Sequence, residues 1–155
     1  MTSGLFTSAL MTFFLAMVPV LELRGAIPAG IASGLTPFWA YAIAVVGNLV
    51  PVPAVILLVR RIFAWCRKKH IFGNIFEKLE NRAREKGEIV HKYRLLGLML
   101  LVAIPLPGTG AWTGAMVAAF LDIQLRRAFP TIALGVIIAG AITTGVTCGA
   151  IHLLW

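Results

Sequence analysis

Long apolar runs alternate along this chain with short, sharply polar interruptions. Residues 5–21, 25–59, 95–121 and 128–155 are almost uniformly apolar, and residues 60–94 form the one markedly polar stretch. A helix needs roughly 20 residues to cross about 30 Å of hydrocarbon, so every run is long enough to matter in a bilayer. Residues 38–59 predict the clearest span. Trp39 and Tyr41 stand at one end and Trp65 beyond the other, as in aromatic belts, and Arg60 and Arg61 are expected to stop the helix. Pro51 and Pro53 lack N–H donors and follow Gly47 and Asn48, which predicts a kink that frees carbonyls at mid-depth. Residues 128–155 predict a second span, with Pro130 in its first turn and Thr143, Thr144 and Thr147 inside it.

The remaining two runs do not read as simple spans. Residues 5–35 are interrupted by Pro19, Glu22, Arg24, Gly25 and Pro28, which leaves an arm of about 11 residues, or roughly 16 Å of helix. Residues 95–121 are broken by the string IPLPGTG at 104–110 and again leave an arm of about half a membrane. Each is either a re-entrant hairpin or a kinked span, and in both cases the exposed backbone must be covered by protein or water.

Composition removes the soluble alternative. The chain is 59% hydrophobic and 13% charged, with a mean hydropathy of +0.91. Soluble domains carry roughly 25% charged residues. The net charge of +8 does not point to nucleic acid, because eleven of the fourteen Lys and Arg residues lie between Arg60 and Arg94. That is a membrane-flanking loop. The positive-inside rule places it in the cytoplasm, beside anionic lipid, and the expected location is a prokaryotic-type plasma membrane. If 95–121 crossed once, Arg126 and Arg127 would lie outside; if it dips in and returns, they join the basic loop. Charge bias therefore favours hairpins, the first entering from outside and the second from inside.

The expected fold is an all-α integral membrane protein, an inverted repeat of re-entrant hairpin plus transmembrane helix, in one membrane domain. Its first half is 1–61, its basic linker 62–94 and its second half 95–155. The internal echo is partial. Gly30 and Gly34 in one half match Gly110 and Gly114 in the other as GxxxG, and VPVL at 18–21 resembles IPLP at 104–107, but no single gapless offset aligns both features. In the linker, Phe72, Phe76, Leu79, Ala83 and Val90 recur at near-helical spacing, with Glu80–Arg84 and Glu88–Lys92 as i,i+4 pairs. This predicts a cytoplasmic amphipathic helix on the membrane surface, or one that binds a partner. His70 and His91 read as ordinary polar residues, and Cys66 and Cys148 as packing residues. No metal or cofactor is expected. The N-terminal run follows no Lys or Arg and leads to no cleavage site, so it reads as mature structure.

Glu22 and Arg24 are the charges inside the apolar bulk, and burial there costs about 2.5 kcal/mol or more, which makes them functional candidates. Residues two apart on a helix do not face each other. Either a non-helical turn pairs them, or each reaches its own partner; in the second case a buried Glu22 can take up and release protons while Arg24 holds an anionic group. In PLPGTG, Pro105 and Pro107 prevent regular helix. Gly108, Thr109 and Gly110 then expose backbone N–H groups at the start of the next arm, where the helix dipole favours anions. A tight turn with close packing at Trp112 and Gly114 is the plainer reading and is compatible with the first. The Walker spacing and its lysine are missing.

The strings ELRGAIPAGIASG at 22–34, GNLVPVP at 47–53 and IPLPGTGAWTGA at 104–115 resemble the small multidrug export protein family, which is similar to the wider DedA superfamily. The resemblance covers nearly the whole chain. It implies two facing re-entrant hairpins, movement of lipids or lipid-linked phosphates, and acidic and arginine residues near the hairpins that serve proton-dependent function. Glu22 and Arg24 map onto that pattern, whereas the second hairpin has PLPGTG in place of an arginine. The candidate site is Glu22, Arg24, Pro28, Asn48, Pro105, Pro107, Gly108, Thr109 and Gly110. The expected function is proton-coupled export, or lipid or lipid-phosphate translocation. Its partners would be membrane lipids, a small-molecule or lipid-phosphate substrate and protons, with a homodimer helping to cover the hairpins. A non-transporting structural or assembly protein is the alternative. An enzyme is not expected, since the membrane segments offer no His/Asp/Ser constellation and no HExxH.

Overall fold

Proline and glycine decide where the helices begin and end. The computed structural model describes residues 2–68, 87–106 and 108–154, and all regular structure among them is helical. Helix α1 is Thr2–Met17, α2 Glu22–Ala32, α3 Pro37–Leu49, α4 Pro51–Lys68, α5 Gly87–Ala103, α6 Ala111–Phe120 and α7 Leu125–Leu154. Pro37 and Pro51 each open a helix, where the missing N–H is an orphan in any case. Pro51 and Pro53 have no donor for the carbonyls of Gly47 and Leu49, and the predicted kink is a break at Val50 between α3 and α4.

Helices α1 and α2 form one antiparallel hairpin and α5 and α6 another. In the first, Ser8 Oγ donates to Ser33 O at 3.0 Å, and Gly30 lies so close to Thr12 that a Cβ there would meet Thr12 Oγ1 at 2.7 Å. In the second, a Cβ on Gly114 would meet Val102 at 2.5 Å. Small buried residues, Ala111, Gly114, Ala115, Ala118 and Ala119, make α6 thin enough for this approach. The two short arms end alike. After α2, Gly34 stands at φ 97° and the N–H groups of Gly34 and Leu35 return to Ile31 O and Gly30 O. After α6, Asp122 stands at φ 53° and the N–H groups of Asp122 and Ile123 return to Ala119 O and Ala118 O. Both are Schellman caps with a buried residue following the left-handed one, Leu35 and Ile123.

The packing partners also correspond. The first arm of each hairpin packs on the long helix that follows in its own half, α1 on α3 and α5 on α7. The second arms differ: α6 crosses chiefly to α4 of the other half, whereas α2 packs on α3 of its own half and also reaches α7. Leu23, Ala26 and Ile27 of α2, Val52 and Ile56 of α4, Ala111 and Ala115 of α6 and Ile132 and Val136 of α7 meet in one core. Helices Pro37–Cys66, taken across Val50, and Leu125–Leu153 are long and apolar enough to cross a bilayer. Only 33% and 28% of their apolar windows are buried, so the remainder, including Leu57, Leu58, Leu134 and Val146, faces outward. That outward apolar surface suits lipid rather than water.

Several expectations change. Arg60 and Arg61 do not stop the helix, which runs on to Lys68, because Arg and Lys are good helix formers and end only the apolar surface. Arg60 instead ties α4 to the turn after α6, with Nη2 2.6 Å from Asp122 Oδ1. Helix α7 starts at Leu125, ahead of the expected 128, so Pro130 lies in its second turn. Glu22, Arg24, Gly25 and Pro28 do not interrupt the first run. The break is confined to 18–21, and all four residues sit in α2. The GxxxG echo does not hold structurally. Gly34 is a turn residue in open space, matched by Asp122, whereas Gly110 and Gly114 are close-approach positions. Of the expected amphipathic helix, Phe72, Phe76, Leu79, Glu80, Ala83 and Arg84 lie outside the described residues, as does His70. Glu88, Val90, His91 and Lys92 belong to α5.

Candidate functional site

The tips of the two hairpins touch. Glu22 opens α2 at φ 44°, a left-handed conformation that costs a non-glycine residue about 1–2 kcal/mol. From there its side chain, 7% exposed, reaches the start of α6, where Trp112 N–H donates to Glu22 Oε1 at 3.3 Å. The N-cap of α6 is Gly110, which has no side chain to cap the first turn. Glu22 supplies that cap from the other hairpin, accepting from one of the N–H groups that the first turn of α6 leaves unpaired. Gly110 has extended backbone, so conformation does not require glycine there. Space does, because a Cβ at 110 would fall on the Glu22 carboxyl.

Arg24, one half-turn further along α2, reaches Thr109. Its Nη2 donates to the Thr109 carbonyl and to Thr109 Oγ1, the latter at 3.0 Å. Thr109 is held for this by its own hydroxyl, which lies 2.8 Å from Ile104 O and 2.9 Å from Leu106 O. Trp112 returns the exchange, its indole N–H donating to Met17 O at 3.1 Å. Glu22 and Arg24 form no ion pair with each other, and the one ion pair among the described residues is Arg60–Asp122. Of the two arrangements open from spacing, the structure therefore has separate partners. The acceptor at the α6 N-terminus is the protein's own carboxyl.

Two small cavities flank this contact, and both are bordered by Glu22 and Arg24. The core cavity, about 10 Å³, lies toward Asn48, Gly110, Val136 and Thr143. That is room for about one water. The tip cavity, about 40 Å³, lies toward Pro19, Gly108, Thr109 and Thr113 and holds a few. Neither admits a drug-sized molecule, for which pockets of about 300–1,000 Å³ are usual.

The structure brings together Glu22, Arg24, Asn48, Gly108, Thr109 and Gly110 from the sequence-predicted site. Pro28, in mid-α2, and Pro105, in the second tip, border neither cavity. Pro107 lies outside the described residues. Sequence reasoning took Trp112 for packing alone and missed that it links the tips. It named Thr143 only as one of three threonines in a span; all three donate to the preceding turn, but Thr143 alone borders the core cavity.

The sequence model of a family described as "Putative small multi-drug export protein" matches residues 22–142, from the first residue of α2 into α7. Neither the curated proteins nor the solved structures contain a match to this chain.

Proposed function

Because this membrane chain belongs to the small multidrug export protein family, we propose that it is a proton-coupled secondary transporter that moves a small molecule, a lipid or a lipid phosphate between its two hairpin tips. The observation that carries this reading is the position of Glu22 and Arg24, which border both cavities. A titratable group that faces two spaces can take a proton from one and give it to the other. Arg24 makes both of its bonds through Nη2, and the rest of its guanidinium fork is suited to an anionic group such as a phosphate once Thr109 lets go.

The same reading takes the halves as an inverted repeat of re-entrant hairpin and span, with the loop at 60–94 in the cytoplasm. The matched Schellman caps at Gly34 and Asp122 and the packing of α1 on α3 and α5 on α7 support it. So does the DedA-like pattern of facing hairpins. Replacing Glu22 with Gln keeps shape and hydrogen bonding but removes titration. In proteoliposomes Glu22→Gln should fold normally and lose pH-dependent transport; full transport with an unchanged pH profile would rule the mechanism out. A packing or assembly role is the second reading, favoured by the interlocked tips and the small size of the two cavities beside them. In that case aqueous thiol reagents should fail to reach a cysteine placed at Thr113.

A further inference from the structure

Asn48, in the last turn of α3, is 1% exposed, and its Oδ1 has no hydrogen-bond partner. Buried amide oxygens are almost always satisfied, so an exception calls for a use. Asn48 borders the core cavity together with Glu22 and Thr143. Thr143 Oγ1 already gives its proton to Ala139 O, at 2.8 Å, and offers the cavity only lone pairs. An ionised Glu22 likewise offers only lone pairs and accepts from Trp112. Arg24, the other charged group bordering the cavity, has its Nη2 committed to Thr109. No titratable group from α3, α6 or α7 borders the cavity. What Asn48 Oδ1 lacks is a donor, and a proton on Glu22 makes one.

We propose that Asn48 Oδ1 is the acceptor for protonated Glu22, so that proton loading turns Glu22 away from the start of α6 and toward α3. The proton arrives from water in the tip cavity and stays on the Glu22 carboxyl as an O–H, while Asn48 only accepts its hydrogen bond. With room for about one water, the cavity allows that bond to be direct or bridged by a single molecule. Turning also removes the carboxyl from Trp112 N–H and loosens one of the contacts between the tips. Asn48 is thus a positioning residue that holds the proton-loaded state. This rests on the reading of Glu22 as the proton-taking group, and the test separates the two.

The full chain in lipid bilayers is followed by infrared difference spectroscopy across pH. A carboxyl C=O band that vanishes in Glu22→Gln belongs to Glu22. In the wild type it should lie at the low frequency of a hydrogen-bonded acid, rise toward that of a free acid in Asn48→Leu, and return in Asn48→Thr, whose hydroxyl oxygen can accept. The amide carbon of Asn48, observed by solid-state NMR in the unsubstituted protein, should shift with the same midpoint as the band and needs no variant to fold. If the Glu22 band is present but neither moves in Asn48→Leu nor is accompanied by an Asn48 shift, the role of Asn48 is refuted and proton uptake by Glu22 stands. If no band depends on Glu22 at any pH, both fall.

Discussion

The two hairpin tips meet with different chemistry. The first contributes side chains, the Glu22 carboxyl and the Arg24 guanidinium, whereas the second answers largely with main chain, the Trp112 N–H and the Thr109 carbonyl. Main-chain dipoles hold the same charge at every pH, and a carboxyl does not. If the proposed proton coupling holds, the contact between the tips answers to protons through the first tip, and the main chain of the second is the fixed partner against which Glu22 is held.

The comparison breaks most severely at Gly110. Gly110→Leu must expel Glu22 from the α6 N-terminus, with a loss of about 3 kcal/mol or more from overpacking and a broken charge-assisted bond. Thermal unfolding in detergent checks it; near wild-type stability would mean that the tips are not docked as described. Gly114→Leu, which meets the Val102 side chain and no charge, should cost less, about 1–3 kcal/mol. Arg24→Lys keeps the charge but loses the planar guanidinium whose Nη2 meets both the Thr109 carbonyl and hydroxyl. A loss of about 1–2 kcal/mol is expected, with partial transport in the proteoliposome assay.

Trp112→Phe sharpens the contrast by keeping an aromatic ring and removing only the indole donor to Met17 O, for about 1 kcal/mol in the same unfolding measurement. The smallest effects concern the matched caps. Gly34→Ala should cost about 1 kcal/mol through its left-handed backbone alone. Asp122→Gly should come out near zero, since relief of the same conformation offsets the loss of an exposed ion pair worth about 0–1 kcal/mol. Equal losses at both positions would show that the ion pair to Arg60 outweighs backbone relief.

What could be read in the chain was what depends on backbone chemistry. The second tip is bounded as expected, by Ala103 and Ala111, because two prolines and three small or polar residues leave a helix no continuation. The first tip was spread too widely, over Pro19 to Pro28, since charge and a lone glycine resemble breakers without being so. The partners of Glu22 and Arg24 lie in the other half of the chain, and local spacing cannot choose among distant groups. The GxxxG match misled for the same reason. Two glycines four apart hold a close contact at both places only if a neighbour arrives at both, and nothing arrives at Gly34.

The break at Val50 has a mechanical consequence. Helix α3 lies with the first hairpin and α7, while α4 lies chiefly with the short arm of the second hairpin. One membrane-length rod is thus shared between two bodies, and its two prolines deny the main-chain bonds that would weld them. In an engineer's terms it is a coupling shaft with a joint in the middle. Asn48 sits two residues from that joint, so a change in what it holds acts with almost no lever arm, and a small rotation there is magnified along the whole length of α4. Paired spin labels at the far ends of α3 and α4 should change separation between high and low pH, while labels within either helix should not.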